Sequence, residues 1–95
     1  MKITVRLFAA LKEIVGSGEL RVDLPEGAEV VDLLKKLSND YGTEFGNFVI
    51  DDRMGTIRQY LQILVDGKYV SFSERCRAKL TDGSVVAILP PIGGG

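Results

Sequence analysis

Polar and apolar residues alternate from Lys2 to Phe8, with Ile3, Val5 and Leu7 on one side and Thr4, Arg6 and Phe8 on the other. That two-residue period predicts a strand buried on one face. From Ala9 to Val15 the period lengthens, and Leu11, Ile14 and Val15 fall on one side of a short helical turn that Gly16-Ser17-Gly18 ends. Alternation resumes over Glu19-Leu20-Arg21-Val22-Asp23-Leu24, placing Leu20, Val22 and Leu24 inside, and Pro25-Glu26-Gly27 turns the chain.

The strongest helical pattern follows. Val30, Leu33, Leu34, Leu37 and Tyr41 recur at i, i+3, i+4, i+7 and i+11, an apolar stripe opposite Asp32, Lys35, Lys36, Asn39 and Asp40. Asp32 and Lys36 have the spacing of a favourable ion pair, and Glu29 suits the positive end of the helix dipole. Ala28 and Glu29 offer no good side-chain cap, and Gly42 supplies the stop.

Thr43 to Tyr60 is less regular. Phe45, Phe48 and Val49 have helical spacing and suit the edge of a core, and Asp51-Asp52-Arg53-Met54-Gly55 reads as a solvated turn without calcium-loop spacing. Leu61 to Val65, Asp66-Gly67 and Lys68 to Val70 form a hairpin pattern around the preferred two-residue connection. Ser71 to Lys79 is a polar link, and Thr81-Asp82-Gly83-Ser84 turns into Val85 to Leu89, apolar on both faces like a central covered strand.

The order strand, strand, long helix, hairpin, last strand predicts an α+β domain: a mixed sheet with one main helix packed across it and the first and last strands parallel neighbours. That is the β-grasp, or ubiquitin-like, arrangement. If Ile3, Val5 and Leu7 face the helix, Phe8, Leu64, Tyr69 and Leu89 belong to the outer sheet face. Phe8, Tyr69 and Leu89 are then a candidate docking patch. The competing structural reading has them covered by the Thr43 to Tyr60 segment.

Ninety-five residues, 45% hydrophobic and 26% charged, fit one globular domain. A net charge of -1 with no basic run argues against nucleic-acid binding. No apolar run approaches the ~20 residues of a membrane span, which predicts a cytoplasmic protein. The single cysteine, Cys76, allows neither an internal disulfide nor a thiolate metal cluster; between Arg75 and Arg77 it reads as a plain loop cysteine. With no histidine at all, the commonest general base and zinc ligand is missing. The chain reads as a substrate, carrier or binder that is not catalytic alone, with no metal and no cofactor of its own.

Leu89-Pro90-Pro91-Ile92-Gly93-Gly94-Gly95 is the remaining signal. Two prolines lack backbone donors, so the last strand leaves its sheet at Leu89 and continues stiffly. Three glycines beyond them pack nothing, but they fit a slot too narrow for side chains. The expected division is a folded body over 1–91 and a thin tail over 92–95, whose Gly95 carboxylate a partner's site can reach.

Across its length the chain resembles the MoaD/ThiS family of ubiquitin-like sulfur carriers, and within it the small subunits of molybdopterin synthase. The matching residues are Leu7-Phe8-Ala9 with Leu11-Lys12-Glu13, the Leu24-Pro25-Glu26-Gly27 turn, and Val31-Asp32-Leu33-Leu34. Val65-Asp66-Gly67, Leu80-Thr81-Asp82-Gly83 and Val86-Ala87-Ile88-Leu89-Pro90-Pro91-Ile92-Gly93-Gly94-Gly95 complete the set. Two departures stand out: Thr43 to Tyr60 is longer than in the shortest bacterial members, and Gly93 stands where threonine, serine or alanine is also common.

The resemblance implies that a ubiquitin-activating-type adenylyltransferase uses ATP to join AMP to Gly95, and that a sulfur donor, a cysteine desulfurase or similar, replaces AMP to leave a thiocarboxylate. The molybdopterin synthase large subunit would then use that sulfur to build the pterin dithiolene. Gly93 and Gly94 would thread the partner's slot, while Phe8, Tyr69, Leu89, Pro90, Pro91 and Ile92 dock. Alternatives within the same likeness are a carrier for thiamin, cysteine or tRNA thiolation and a ubiquitin-like protein modifier. An interaction module with an inert tail is the alternative from a different class.

Overall fold

A computed structural model describes residues 1–51, 56–71, 73–74 and 77–91. Strand β1 (Lys2–Leu7) leads into helix α1 (Ala9–Val15), and β2 (Glu19–Asp23) returns antiparallel to β1, with Ile3 opposite Val22. Helices α2 (Val30–Tyr41) and α3 (Thr43–Val49) follow. Two-residue strands β3 (Ile50–Asp51) and β4 (Thr56–Ile57) pair with each other, and β5 (Gln62–Val65) and β6 (Lys68–Tyr69) form the expected hairpin. The last strand is β7 (Val85–Leu89).

The main sheet runs β2-β1-β7-β5-β6, with β1 and β7 parallel and the other pairs antiparallel. This is the β-grasp fold. Ile3, Val5, Leu7, Val86, Ile88 and Ile63 point from its inner face into one core with Val30, Leu33, Leu34 and Leu37 of α2. Burying each large side chain of that stripe contributes about 1.5–3 kcal/mol. Tyr41, expected to extend the stripe, stays 39% exposed and rests its ring 6.3 Å from that of Phe45.

Several local expectations are corrected. The Asp32 carboxylate does not pair with Lys36; it accepts the Glu29 N–H at 2.8 Å, so the α2 N-terminus has the cap its preceding residues were not expected to provide. Lys36 instead faces Asp40 at 3.4 Å. Leu20 is only half-buried, because β2 is the sheet edge. By contrast, the helical spacing read for Phe45, Phe48 and Val49 holds: all three lie in α3, with Phe45 and Val49 fully buried. Asp51 lies in β3 and not in a turn, while Asp52 falls outside the described residues, as do Arg75 and Cys76.

The Asp66-Gly67 connection has φ of 53° and 82°, the left-handed pair that a tight hairpin needs. β7 is central by pairing but covered on one face only: Val86 and Ile88 are buried, whereas Val85, Ala87 and Leu89 are half-buried on the outer face. Apolar residues there do not report a second covering layer.

Candidate functional site

The ladder of β7 stops at Leu89, opposite Gln62. The next residue, Pro90, has no N–H to extend it and is buried against the body, and Pro91 is half-buried. Beside them opens a groove of about 440 Å³, lined by Phe8, Ala9, Tyr60, Gln62, Leu89, Pro90 and Pro91.

Each wall has a local cause. β1 ends at Leu7, and Phe8, with extended backbone, begins α1; Ala9 then takes a φ of 51°, so the chain turns abruptly and leaves Phe8 40% exposed at the corner. On the far wall, the Tyr60 hydroxyl donates to the Phe48 carbonyl at 2.6 Å, and the two rings meet edge to face at 6.0 Å. Tyr60 is thereby held in place while 45% of it faces solvent. Among the described residues the groove's walls include no carboxylate or lysine. They offer aromatic and aliphatic contact and one side-chain amide.

Phe8, Leu89, Pro90 and Pro91 are thus brought together. Tyr69 is not part of the groove. It stands opposite Leu64, which stands opposite Ala87, and Ala87 lies beside Arg6, so these four share one row across the outer sheet face. At 59% exposure Tyr69 is open to a partner, one row away from Leu89 and Gln62. Ile92, Gly93, Gly94 and Gly95 lie outside the described residues.

Sequence reasoning did not single out Ala9, Tyr60 or Gln62. Gln62 was open to discovery by parity, since it alternates with the buried Leu61 and Ile63 and shares the face of Leu89. Tyr60 gave no such signal, because its placement depends on α3 carrying Phe48 to it. A larger cleft of about 580 Å³ lies between α2 and α3, lined by Lys35, Ser38, Asn39, Gly42, Thr43, Gly46, Asn47 and Ile50. None of its walls comes from β7. Among the described residues no cluster of acidic or cysteine side chains could hold a metal ion, and no helix is long and apolar enough to cross a membrane.

A family model described as the ThiS family matches residues 5–95. The chain belongs to the ThiS family. That places it among ubiquitin-like sulfur carriers and small archaeal modifiers. This ThiS-family chain is 28% identical over 95 residues to small archaeal modifier protein 3 of Haloferax volcanii, covering 100% of both chains. It is 30% identical over 95 residues to an Archaeoglobus fulgidus protein provisionally named a sulfur carrier, again covering 100% of both. Among solved structures, it is similar to a Pyrococcus furiosus protein provisionally titled molybdopterin converting factor, subunit 1. That likeness has a TM-score of 0.73 and 32% identity, and covers 97% of this chain and 99% of the other.

Proposed function

We propose that this protein works through the carboxylate of Gly95, as a carrier of sulfur or as a modifier of other proteins. A free α-carboxylate has a pKa of about 3.3–3.7 and is anionic near neutral pH, so it resists nucleophiles. A ubiquitin-activating-type partner removes that obstacle by using ATP to form an acyl-adenylate and release pyrophosphate. AMP is then a leaving group. Displacement of AMP by hydrosulfide, sulfur at the sulfide level, leaves a thiocarboxylate, and displacement by a lysine amine leaves an isopeptide bond.

The observation that carries this reading is the family match running through residue 95, directly beyond a buried Pro90 and an apolar groove. Fixing the tail in a partner's slot costs roughly 1–2 kcal/mol per residue. The groove around Phe8 and the row of Leu64, Ala87 and Tyr69 are the surfaces proposed to offset that cost. The molybdopterin synthase role is the narrower version and has the likeness to the Pyrococcus furiosus protein on its side, but the relatives named as modifiers and as a sulfur carrier speak more for the broader one.

Mass spectrometry of protein from its native cells, of the intact chain and of digested conjugates, tests both branches. A carrier shows the exchange of one oxygen for sulfur at Gly95, and a modifier shows branched peptides joining Gly95 to lysines of other proteins. Copurification with a synthase large subunit would select the molybdopterin version. Finding neither sulfur nor branched peptides, with full function after removal of Gly94 and Gly95, overturns the proposal.

A further inference from the structure

Among the described residues β2 is an edge strand, paired on one side only. Leu24 N–H donates to the Met1 carbonyl at 2.9 Å, and Leu7 N–H donates to the Gly18 carbonyl at 2.9 Å. In the antiparallel register of β1 and β2, the backbone groups of Leu20 and Val22 therefore point toward β1, and those of Glu19, Arg21 and Asp23 point away from the sheet. At Glu19 both groups are taken: its N–H donates to the Ser17 hydroxyl oxygen at 3.2 Å, and its carbonyl accepts from that hydroxyl at 2.8 Å. Among the described residues nothing takes up the backbone groups of Arg21 and Asp23.

We propose that this edge pairs antiparallel with the same edge of a second copy, Arg21 opposite Asp23 and Val22 opposite Val22. In that register each Arg21–Asp23 pair exchanges two backbone hydrogen bonds, and the symmetry supplies the pair twice. Both side chains stand on the outer face, so each guanidinium meets a carboxylate directly across the new ladder, where opposite charges stabilise. Lys2 Nζ lies 3.5 Å from Asp23 Oδ1 in an exposed pair, which leaves the other carboxylate oxygen for the guanidinium. Val22 faces its own copy on the inner face at the closer, non-hydrogen-bonded spacing.

The alternatives are weaker. Centring on Arg21 sets two guanidinium groups against each other and Glu19 against Asp23. Shifting toward Glu19 requires backbone groups that Ser17 already occupies. The chosen register also ends where it must, since it brings Glu19 against Pro25, which has no N–H. With β1 between β2 and β7, the groove beside Pro90 stays open, and the pair presents two tails from one continuous sheet. The ladder is short, so the association is weak and concentration-dependent.

Sedimentation equilibrium and amide chemical shifts, followed from micromolar to millimolar full-length protein, test this. Self-association is expected, with concentration-dependent shifts centred on Arg21 to Asp23. Arg21→Glu sets two carboxylates against each other across the ladder and should weaken dimerisation roughly tenfold; Asp23→Arg should do the same by opposing two guanidinium groups. The swap Arg21→Asp with Asp23→Arg should restore it, and circular dichroism of each variant reports whether the monomer remains folded. A protein that stays monomeric at millimolar concentration overturns the proposal. So does self-association mapped to Phe8 or Tyr69, failure of the swap to rescue, or an edge that takes a peptide from another protein while never pairing with itself.

Discussion

Asp66 and Val85 exchange two hydrogen bonds: the Asp66 N–H donates to the Val85 carbonyl at 2.8 Å, and the Val85 N–H donates to Asp66 Oδ1 at 2.8 Å. The second carboxylate oxygen accepts the Ser84 hydroxyl at 3.4 Å. Ser84 is buried, and its Oγ also accepts the Thr81 N–H at 3.0 Å. One hairpin residue in the left-handed region thus ties the β5–β6 turn to the start of the strand that leads to the tail.

Asp66→Ala removes the acceptor for Val85 N–H and the longer of the two bonds open to the Ser84 hydroxyl, which keeps Thr81 Oγ1 at 3.1 Å, and it places a Cβ-bearing residue without side-chain help at a φ of 53°. A loss of about 1–2 kcal/mol is expected. Asp66→Asn keeps an acceptor and tolerates the left-handed backbone, so it should lose less than half as much. Urea denaturation of both variants checks the order.

Ala9 offers the opposite case. Its φ of 51° is imposed where β1 turns into α1, at a cost of about 1–2 kcal/mol for a residue with a Cβ. Its side chain is exposed, so packing does not enter. Ala9→Gly should be neutral or stabilising by up to about 1 kcal/mol, despite the usual penalty for glycine in helices. Ala9→Val should destabilise by about 1–2 kcal/mol, since branching at Cβ worsens the strain. Thermal melts of the pair would show the sign reversal.

How much of this was legible in the sequence depends on where the period originates. The alternation over Lys2 to Leu7 and the stripe from Val30 to Leu37 each come from one element facing one core, and both elements appear as read. Asp66-Gly67 was legible because its backbone demands left-handed φ at two successive residues. β3 and β4 were not, since two residues are too few to show a period. Asp32 satisfies two sequence rules at once, and the cap prevails because it answers an orphan N–H that a surface ion pair would leave unpaired. Over Val85 to Leu89 the composition was read correctly and its cause was not: the outer residues are apolar and only half-buried. In the groove, Phe8 and Leu89 follow from parity, whereas Tyr60 depends on a bond to Phe48 twelve residues earlier that no local pattern encodes.

Leu34 is fully buried beneath α2, and a carboxylate there would have neither water nor a partner. Leu34→Asp should leave no folded protein at 25 °C, because the penalty rivals a stability of about 5–15 kcal/mol for a domain. Leu34→Ala should fold with a loss of about 2–5 kcal/mol. Circular dichroism and denaturant titration distinguish the two.

Phe8 and Tyr69 are exposed, so Phe8→Asp and Tyr69→Asp should retain the fold and change stability by roughly 0.5 kcal/mol or less. Their effects on activation should differ. Phe8 lines the groove from which Pro91 leads toward the tail, so its replacement should weaken docking to the activating partner by at least about tenfold, the range of an aromatic anchor. Tyr69 lies a row away, on the sheet face and outside the groove, so on the proposed docking the loss from its replacement should be smaller and additive with that of Phe8. ATP–pyrophosphate exchange by the activating enzyme at limiting carrier concentration measures both. Equal losses with strong coupling would mean that groove and sheet face act as one surface. A melted Phe8→Asp variant would instead make Phe8 part of the core.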